Sequence, residues 1–333
     1  MRTPETPLPD WFTCAIQKKE LKTFMVRDNF HGAWHVGLWF LMLIGTGYAG
    51  IVLWGTPWAI LAFLAYGILY SGCDARWHET SHGTVFKTPW LNDLVYFIAA
   101  AMDQRDIVFT RWSHFRHHSY TIYTEADLEI AVKKPPNLWA VLLDFFHIAT
   151  GMVSIKNLIL HALGILSNSA KEVVPDEDYV GMFWWARLTL ALYLVTIAIS
   201  ILLQSWIPVL LWGLPRFYGA FVQWYMSLLQ HAGLEQNVPD HRLSTRTIYM
   251  NPIFGFLYMN MEYHLEHHIY PLVPFYALPS LHQRIKDQLP APYPNTLAAY
   301  RELIPELLIE RKNPAHSIRR PLPDRAPGQG HAE

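Results

Sequence analysis

The sequence predicts an all-α integral membrane protein, with four transmembrane helices in two hairpins and a cytoplasmic helical cap. Charged residues make up 16% of its 333 residues and hydrophobic residues 52%, whereas an ordinary soluble domain has about 25% charged residues. No Lys, Arg, Asp or Glu occurs between Asp28 and Asp74. Residues 179–234 carry only two charged side chains, Arg187 and Arg216. These two apolar stretches are the evidence for the membrane helices.

Each apolar stretch is long enough for two crossings, because a bilayer core about 30 Å thick needs about 20 helical residues. The predicted spans are residues 32–54, 57–73, 184–204 and 206–231. If the second hairpin turns at residues 204–205, Arg216 lies near the bilayer midplane, where an ionisable residue indicates function. If it turns at residues 213–215, Arg216 marks the outer interface. We favour the second turn because Gly213 and Pro215 are good turn residues.

Lys and Arg residues precede the first hairpin and occur between the two hairpins, while both hairpin turns lack them. The positive-inside rule then places the N-terminus, the central segment and the C-terminal third in the cytoplasm. We predict one domain over residues 1–311 and a disordered tail over residues 312–333, which are rich in Pro, Arg and Gly. The polar first 31 residues do not resemble a signal peptide, and a net charge of −1 argues against a nucleic-acid partner.

Histidines form three clusters at helical spacing. Side chains three and four residues apart share one face of a helix, so the histidines of each cluster point the same way. His231, at the cytoplasmic end of the fourth predicted span, is added because of its position. All of these lie on one side of the membrane in the predicted topology. The nine residues are His78, His82, His114, His117, His118, His231, His264, His267 and His268.

Nine imidazoles indicate a metal site carried by the cap. Neutral imidazole suits iron, zinc, copper and nickel, and nine ligands are too many for one ion, so we predict two ions with four or five ligands each. Cys14 and Cys73 cannot supply an iron–sulfur cluster or a four-cysteine zinc site. Seven of the eight remaining histidines are predicted to be packed or interfacial: His31, His35, His147, His161, His241, His282 and His316.

Two alternative hypotheses compete with a two-metal site. Residues 78–82, His-Glu-Thr-Ser-His, match the H-E-x-x-H pattern of zinc peptidases, with Glu79 as general base. Such a site needs only one further protein ligand and would leave most of the clustered histidines without a role. A haem protein with paired axial histidines would need only isolated histidines on facing spans, not adjacent pairs such as His117 and His118.

The pattern HxxxH, HxxHH and HxxHH on a four-span chain resembles the membrane fatty acid desaturase superfamily, which includes desaturases, hydroxylases and alkane-type monooxygenases. The resemblance extends from Leu21 to Leu289, and residues 264–274 are very similar to the third box of the family and its following prolines. Residues 240–247 and 259–264 are similar to bacterial hydrocarbon oxygenases of the rhizopine-catabolism type.

The resemblance implies a diiron centre, held by the nine histidines, that uses O2 and external electrons to oxidise an unactivated C–H bond. The position of His231 favours a monooxygenase or hydroxylase, with a fatty acyl desaturase of lipid metabolism as the alternative. Zinc can replace iron in purified protein. The implied donors are a ferredoxin, for which the Rieske type is one candidate, and an NAD(P)H-dependent reductase.

Carboxylates close in sequence to the ligands are candidates for orienting the imidazoles. They are Asp74, Glu79, Asp106, Asp127, Glu235, Glu262 and Glu266. The implied location is the inner membrane of a bacterium, with the active site facing the cytoplasm.

Overall fold

A computed structural model describes residues 7–323. Within this range the regular elements are helices, and two isolated β-bridges pair Leu234 with Ile318 and Ile248 with Tyr293. The α-helices are α1 Lys18–Phe24, α2 Phe30–Val52, α3 Trp58–Ser71, α4 Cys73–Ser81, α5 Pro89–Met102, α6 Ile107–Ser119, α7 Leu138–Leu143, α8 Ala149–Ala162, α9 Asn168–Val173, α10 Tyr179–Leu202, α11 Ile207–Leu211, α12 Pro215–Ser227, α13 His241–Ser244, α14 Pro252–Tyr258, α15 His264–Ile269, α16 Leu278–Ile285 and α17 Thr296–Lys312. The all-α prediction is confirmed for these residues.

Three helices in the described range are long and apolar enough to cross a membrane. They are Phe30–Val52, Trp58–Ser81, in which α4 continues α3, and Asp176–Leu202, which contains α10. They correspond to the first three predicted spans. Their exposed side chains are largely apolar, as lipid contact requires: Trp34 on α2 and Leu202 on α10 are 67% and 82% exposed.

The fourth predicted span, residues 206–231, is not one continuous helix. It contains α11 and α12, separated at residues 212–214. Gly213 adopts a φ of 113°, which few other residues tolerate, and Pro215 has no N–H to continue the helical hydrogen bonds. Another segment, Leu138–Phe146 with Ala149–Ala162, is apolar enough to span as a pair but is bent by 73°. The described residues therefore offer three candidate spans, or four if a bent pair counts as one.

The chain divides into two compact units, each built from separate pieces of sequence. The first contains Asp28–Arg116 and Leu138–Ser227, and with them helices α2 to α5 and α7 to α12. Here α3 packs closely against α12. The two backbones are so close that a Cβ atom on Gly219 would lie 2.0 Å from the carbonyl carbon of Gly67. Small residues at such crossings let two membrane helices approach closely.

The second unit contains residues 7–27, 117–137 and 228–323. A buried ion pair between Lys134 and Glu310, 2.7 Å apart, fastens α17 to the loop before α7. Beyond α17, Ile318 is 5% exposed and donates its backbone N–H to the Gly233 carbonyl at 2.8 Å. Residues 324–333, the rest of the predicted disordered tail, lie outside the described residues.

Arg216 does not lie at an exposed interface, contrary to our expectation. It follows the turn at Gly213, but its side chain is only 5% exposed. Its Nε atom lies 2.5 Å from Asp103 Oδ1, and it donates to the Ser71 carbonyl at 3.2 Å. The turn residues indicated where the helix begins, but only the fold brings Asp103 beside the arginine. A buried charge of this kind requires a partner.

Candidate metal centre

The first histidine cluster lies where the second predicted span leaves the apolar stretch. Helix α4 continues α3 and carries His78, while His82 follows at its C-terminal end. His114 on α6 meets them: the Nε2 atoms of His82 and His114 are 3.0 Å apart, and the rings of His78 and His114 have centroids 4.3 Å apart. One ligand atom from each of the three lies within 4.8 Å of the others. Three imidazoles therefore converge within the first unit.

Trp77 packs beside this group and is itself held by charged residues. Its ring meets the ring of His114 edge to face, with centroids 5.5 Å apart. Its Nε1–H donates to Asp103 Oδ2 at 3.0 Å, and the Arg105 guanidinium lies 4.5 Å from the centre of its ring. The buried Asp103–Arg216 pair thus fixes an aromatic neighbour of the histidines.

A group of four histidines forms within the second unit. His117, His231, His264 and His268 each offer one ligand atom, and these atoms all lie within 4.8 Å of one another. His264 Nε2 lies 3.1 Å from His231 Nε2 and 3.1 Å from His268 Nε2. Two nitrogens bound at right angles to one metal ion, each at about 2.1 Å, are about 3 Å apart. The spacing therefore suits a shared metal ion.

The outward-facing nitrogens of this group show which ring atoms carry protons. His117 Nδ1 lies 2.8 Å from Asp127 Oδ2, and His231 Nδ1 lies 2.8 Å from the Ser244 carbonyl oxygen. A carbonyl oxygen only accepts, so His231 Nδ1 carries the proton, and the ionised Asp127 requires the same of His117. In their neutral forms, both rings therefore keep an unprotonated Nε2.

The same reasoning applies to His268. Thr121 donates its hydroxyl proton to the His117 carbonyl at 2.8 Å, so its oxygen must accept from His268 Nδ1, which is 3.1 Å away. His268 Nε2 is then also unprotonated. At least three rings of the group therefore carry a lone pair on Nε2. These lone pairs lie close together and repel one another, and a bound cation would stabilise them. Outer hydrogen bonds to the second ring nitrogen are typical of metal-ligating histidines.

Burial favours the neutral form that metal binding requires. The buried position of His268, with four other histidines nearby, holds its pKa well below the ordinary value. Burial also lowers the pKa of His117, but attraction to Asp127 and their hydrogen bond outweigh it, and its pKa lies above the ordinary value. Asp127 thereby orients the ring and raises the basicity of its Nε2 atom.

The remaining two of the nine histidines pair with each other in the second unit. The Nε2 atoms of His118 and His267 are 3.2 Å apart, and their ring centroids are separated by 4.9 Å. His118 also stacks on His268, with centroids 4.4 Å apart. Both residues therefore lie next to the four-histidine group.

The predicted carboxylates have different surroundings. Asp127 binds His117, and Glu79 lies 3.3 Å from His78 Nδ1. Four others contact residues outside the nine histidines. Asp74 contacts Trp77 and Gln223, and Asp106 contacts His161. Glu235 contacts Arg319, and Glu266 contacts His282 and Thr247.

Glu262 is buried, and that burial raises its pKa to about 7. Several histidines outside the nine are buried as well. His147, His161, His241 and His282 are each at most 3% exposed.

Sequence reasoning missed Thr121, Ser244 and Gln230, whose side chain lies 3.3 Å from His264 Nδ1. Two of these had a usable signal. Thr121 is four residues after His117, just past the end of α6, and Gln230 precedes His231. Ser244 had none, because it contributes its backbone carbonyl, which any residue possesses.

The fold and the histidine groups agree with a known family. The profile of the family described as fatty acid desaturase matches residues 55–299, which is most of the chain. The protein therefore belongs to the fatty acid desaturase family, as the resemblance predicted. It is similar to the dihydrorhizobitoxine desaturase of Bradyrhizobium elkanii, with 27% identity over 286 residues that cover 79% of this chain and 77% of that protein. Membership makes the chain an oxidoreductase of the membrane desaturase type. The narrower resemblance to rhizopine-type oxygenases stays a prediction.

Replacing Asp127 with Asn is expected to weaken metal binding to the four-histidine group by about 10- to 100-fold, the usual effect of losing such a partner. The neutral amide keeps the shape but not the charge that makes His117 a better ligand. Competition with a chromophoric zinc chelator measures this. The exposed Asp93, paired with Arg111 at 2.9 Å, provides the matched control as D93N. Equal affinities for D127N and the unmodified protein would show that Asp127 does not support a ligand.

Proposed function

We propose that the nine histidines bind two iron ions and that the protein uses O2 and external electrons to oxidise an unactivated C–H bond. The observation that carries the proposal is the hydrogen bonding of Nδ1 in the four-histidine group, which leaves Nε2 unprotonated in the neutral forms of His117, His231 and His268. The three-histidine group of His78, His82 and His114 supplies a second set of donors. His118 and His267 complete the nine ligands.

The donor set fits iron. Imidazole suits iron, and also zinc, copper and nickel, so affinity alone does not choose the metal, and zinc can occupy the groups in overproduced protein. When bound, an iron pair supplies reductive activation of O2 for attack on a strong C–H bond. The chain's own residues keep the rings oriented: Asp127 and Thr121 each bind an Nδ1 atom and leave Nε2 for the metal.

We propose desaturation as the outcome, because the curated relative is named a desaturase. Oxygen insertion, which the sequence favoured, remains the second candidate, and the observation behind it is His231. This residue lies within the four-histidine group, 3.1 Å from His264 between Nε2 atoms. An H-E-x-x-H zinc peptidase would leave that whole group without a role.

An external electron donor is required by the balance of either reaction. Desaturation converts CH–CH, O2, two electrons and two protons into C=C and two waters, while insertion yields C–OH and one water. The sequence has two cysteines, too few for a four-cysteine iron–sulfur cluster. We propose a ferredoxin, with the Rieske type as one candidate, and an NAD(P)H-dependent reductase as the donors.

Purified protein supplied with substrate, O2 and NADH alone is expected to give no sustained turnover. Addition of a ferredoxin and its reductase is expected to restore it, because electrons then have a carrier. Product measured over time by mass spectrometry distinguishes the two cases. Multiple turnovers without any added protein would refute the requirement for a donor.

We also propose that the protein lies in the inner membrane of a bacterium with the histidine groups facing the cytoplasm. The proposal rests on the positive-inside rule and on Lys18, Lys19 and Lys22, which precede the first span. Thiol labelling of a K19C variant in intact cells tests it. Labelling by a membrane-impermeant maleimide before lysis would contradict the orientation.

A further inference from the structure

Electrons must reach histidine groups that lie inside the protein. Three residues of the four-histidine group, His117, His264 and His268, are each at most 4% exposed. Electron transfer across a protein slows exponentially with the gap between the two redox partners, and closely stacked rings shorten the gaps. A bridge of rings that leads outward from the group would therefore speed the transfer.

Such a bridge lies in the second unit. The indole of Trp11 stacks on the imidazole of His241, with centroids 3.9 Å apart and planes 7° from parallel. The His241 ring in turn lies 5.2 Å from the His268 ring. His241 is 2% exposed, whereas Trp11 is only half-buried. The series Trp11, His241 and His268 therefore runs from the surface of the unit to a candidate metal ligand.

Both outer rings are held in place. Trp11 Nε1–H donates to the Ser119 carbonyl at 3.1 Å, and the backbone N–H of the next residue, Phe12, donates to the Pro239 carbonyl at 3.1 Å. His241 begins α13, and the Asp240 side chain caps that helix. The stack is thus fixed from both of the chain segments that form it. Neither ring belongs to the nine histidines, and Trp11 lies before the family match, which begins at residue 55.

Packing alone would not need this arrangement. A core position beside His268 is filled as well by an aliphatic side chain, yet the sequence places a histidine there and covers it with the only tryptophan of the second unit. Tyr123 adds a third aromatic ring, 5.8 Å from Trp11 and nearly perpendicular to it. The result is an aromatic patch at the surface, beside the buried ring.

We propose that the Trp11–His241 stack is the route by which electrons enter the four-histidine group, and that an iron–sulfur protein delivers them at Trp11. In each transfer the donor's cluster loses one electron and a metal ion held by the group gains it. The inference rests on the proposed function, because it assumes a redox-active metal there. Trp11 and His241 are positioning residues in this role and bind no metal themselves.

The test measures the rate of electron transfer from a ferredoxin to the protein. Full-length, iron-loaded protein in nanodiscs is mixed anaerobically with a reduced [2Fe–2S] ferredoxin, and oxidation of the ferredoxin is recorded by stopped-flow absorbance. W11L is expected to slow this oxidation by about tenfold, which corresponds to about 1.4 kcal/mol in the barrier. W11F, which retains a ring that can stack, is expected to restore most of the rate. Iron content is expected to be unchanged in both.

Tyr276 provides the matched control, because it is another aromatic residue of the second unit and, like Trp11, it donates to a backbone carbonyl, that of Val26, at 3.1 Å. Y276L is expected to keep the unmodified rate. Equal rates for W11L and the unmodified protein, or a loss of iron from W11L, would overturn the electron route. If the unmodified protein oxidises ferredoxin no faster than metal-free protein does, the proposed function itself fails.

Discussion

Replacing His117 with Ala is expected to reduce the metal content from two ions per chain to about one and to abolish C–H oxidation. His117 supplies one of four converging nitrogens and is the ring that Asp127 orients at 2.8 Å. Losing His117 also leaves the buried Asp127 carboxylate with the backbone N–H groups of Ile122 and Glu129 as its hydrogen-bond donors, and removing one partner of a buried charge is costly. Metal analysis of protein purified without oxygen measures the first effect.

His316 is the control for this substitution, because it lies outside the nine and pairs with Glu306 near the end of α17. H316A is expected to retain both metals and full activity. H267A, in the other pair of clustered histidines, is expected to lose activity as H117A does. A single metal bound by His78 and His82, with H117A and H267A both active, would contradict the diiron centre and favour the peptidase.

Helical spacing was sufficient to predict which histidines within one cluster lie on the same side. Residues three and four apart on a helix share a face, so His78 and His82 point together whatever the rest of the fold does. The four-residue interval between His264 and His268 brings their Nε2 atoms to 3.1 Å. Local geometry thus encodes most of the candidate site, and the apolar stretches encode three of the four predicted spans.

Long-range contacts could not be predicted in the same way. The partner of Arg216 is Asp103, more than a hundred residues away, and no local pattern connects them. Gly213 and Pro215 predicted the turn between α11 and α12, although the apolar composition of residues 206–231 suggested one continuous span. A hydropathy pattern shows which residues avoid water and does not show where a backbone turns.

The carboxylates that hold the imidazoles could be predicted only in part. Asp127 was predicted because it is close in sequence to the second cluster, and it does bind His117. Asp106 and Glu266 are equally close to clusters, yet they bind His161 and His282. Proximity in sequence selects candidates, but the direction of each side chain depends on packing that only the folded chain determines.

Supplying 18O2 to the protein with its electron donors is expected to give a product that is lighter by two hydrogens and carries no label, with the label recovered in water. Desaturation and insertion both begin with removal of one hydrogen, and they differ in whether a second hydrogen is lost or oxygen returns to the carbon. The named desaturase relative favours the first outcome. Mass spectrometry over a panel of acyl and small-molecule substrates measures it.

The same reaction with ordinary O2 in 18O-labelled water provides the control, since an alkene then stays unlabelled and any alcohol formed by later hydration acquires label from the solvent. The opposite result is equally clear. A product that keeps one atom from 18O2 would show that oxygen returns to the carbon and that the position of His231, 3.1 Å from His264 between Nε2 atoms, marks a hydroxylase. Insertion would then replace desaturation as the function of the two histidine groups.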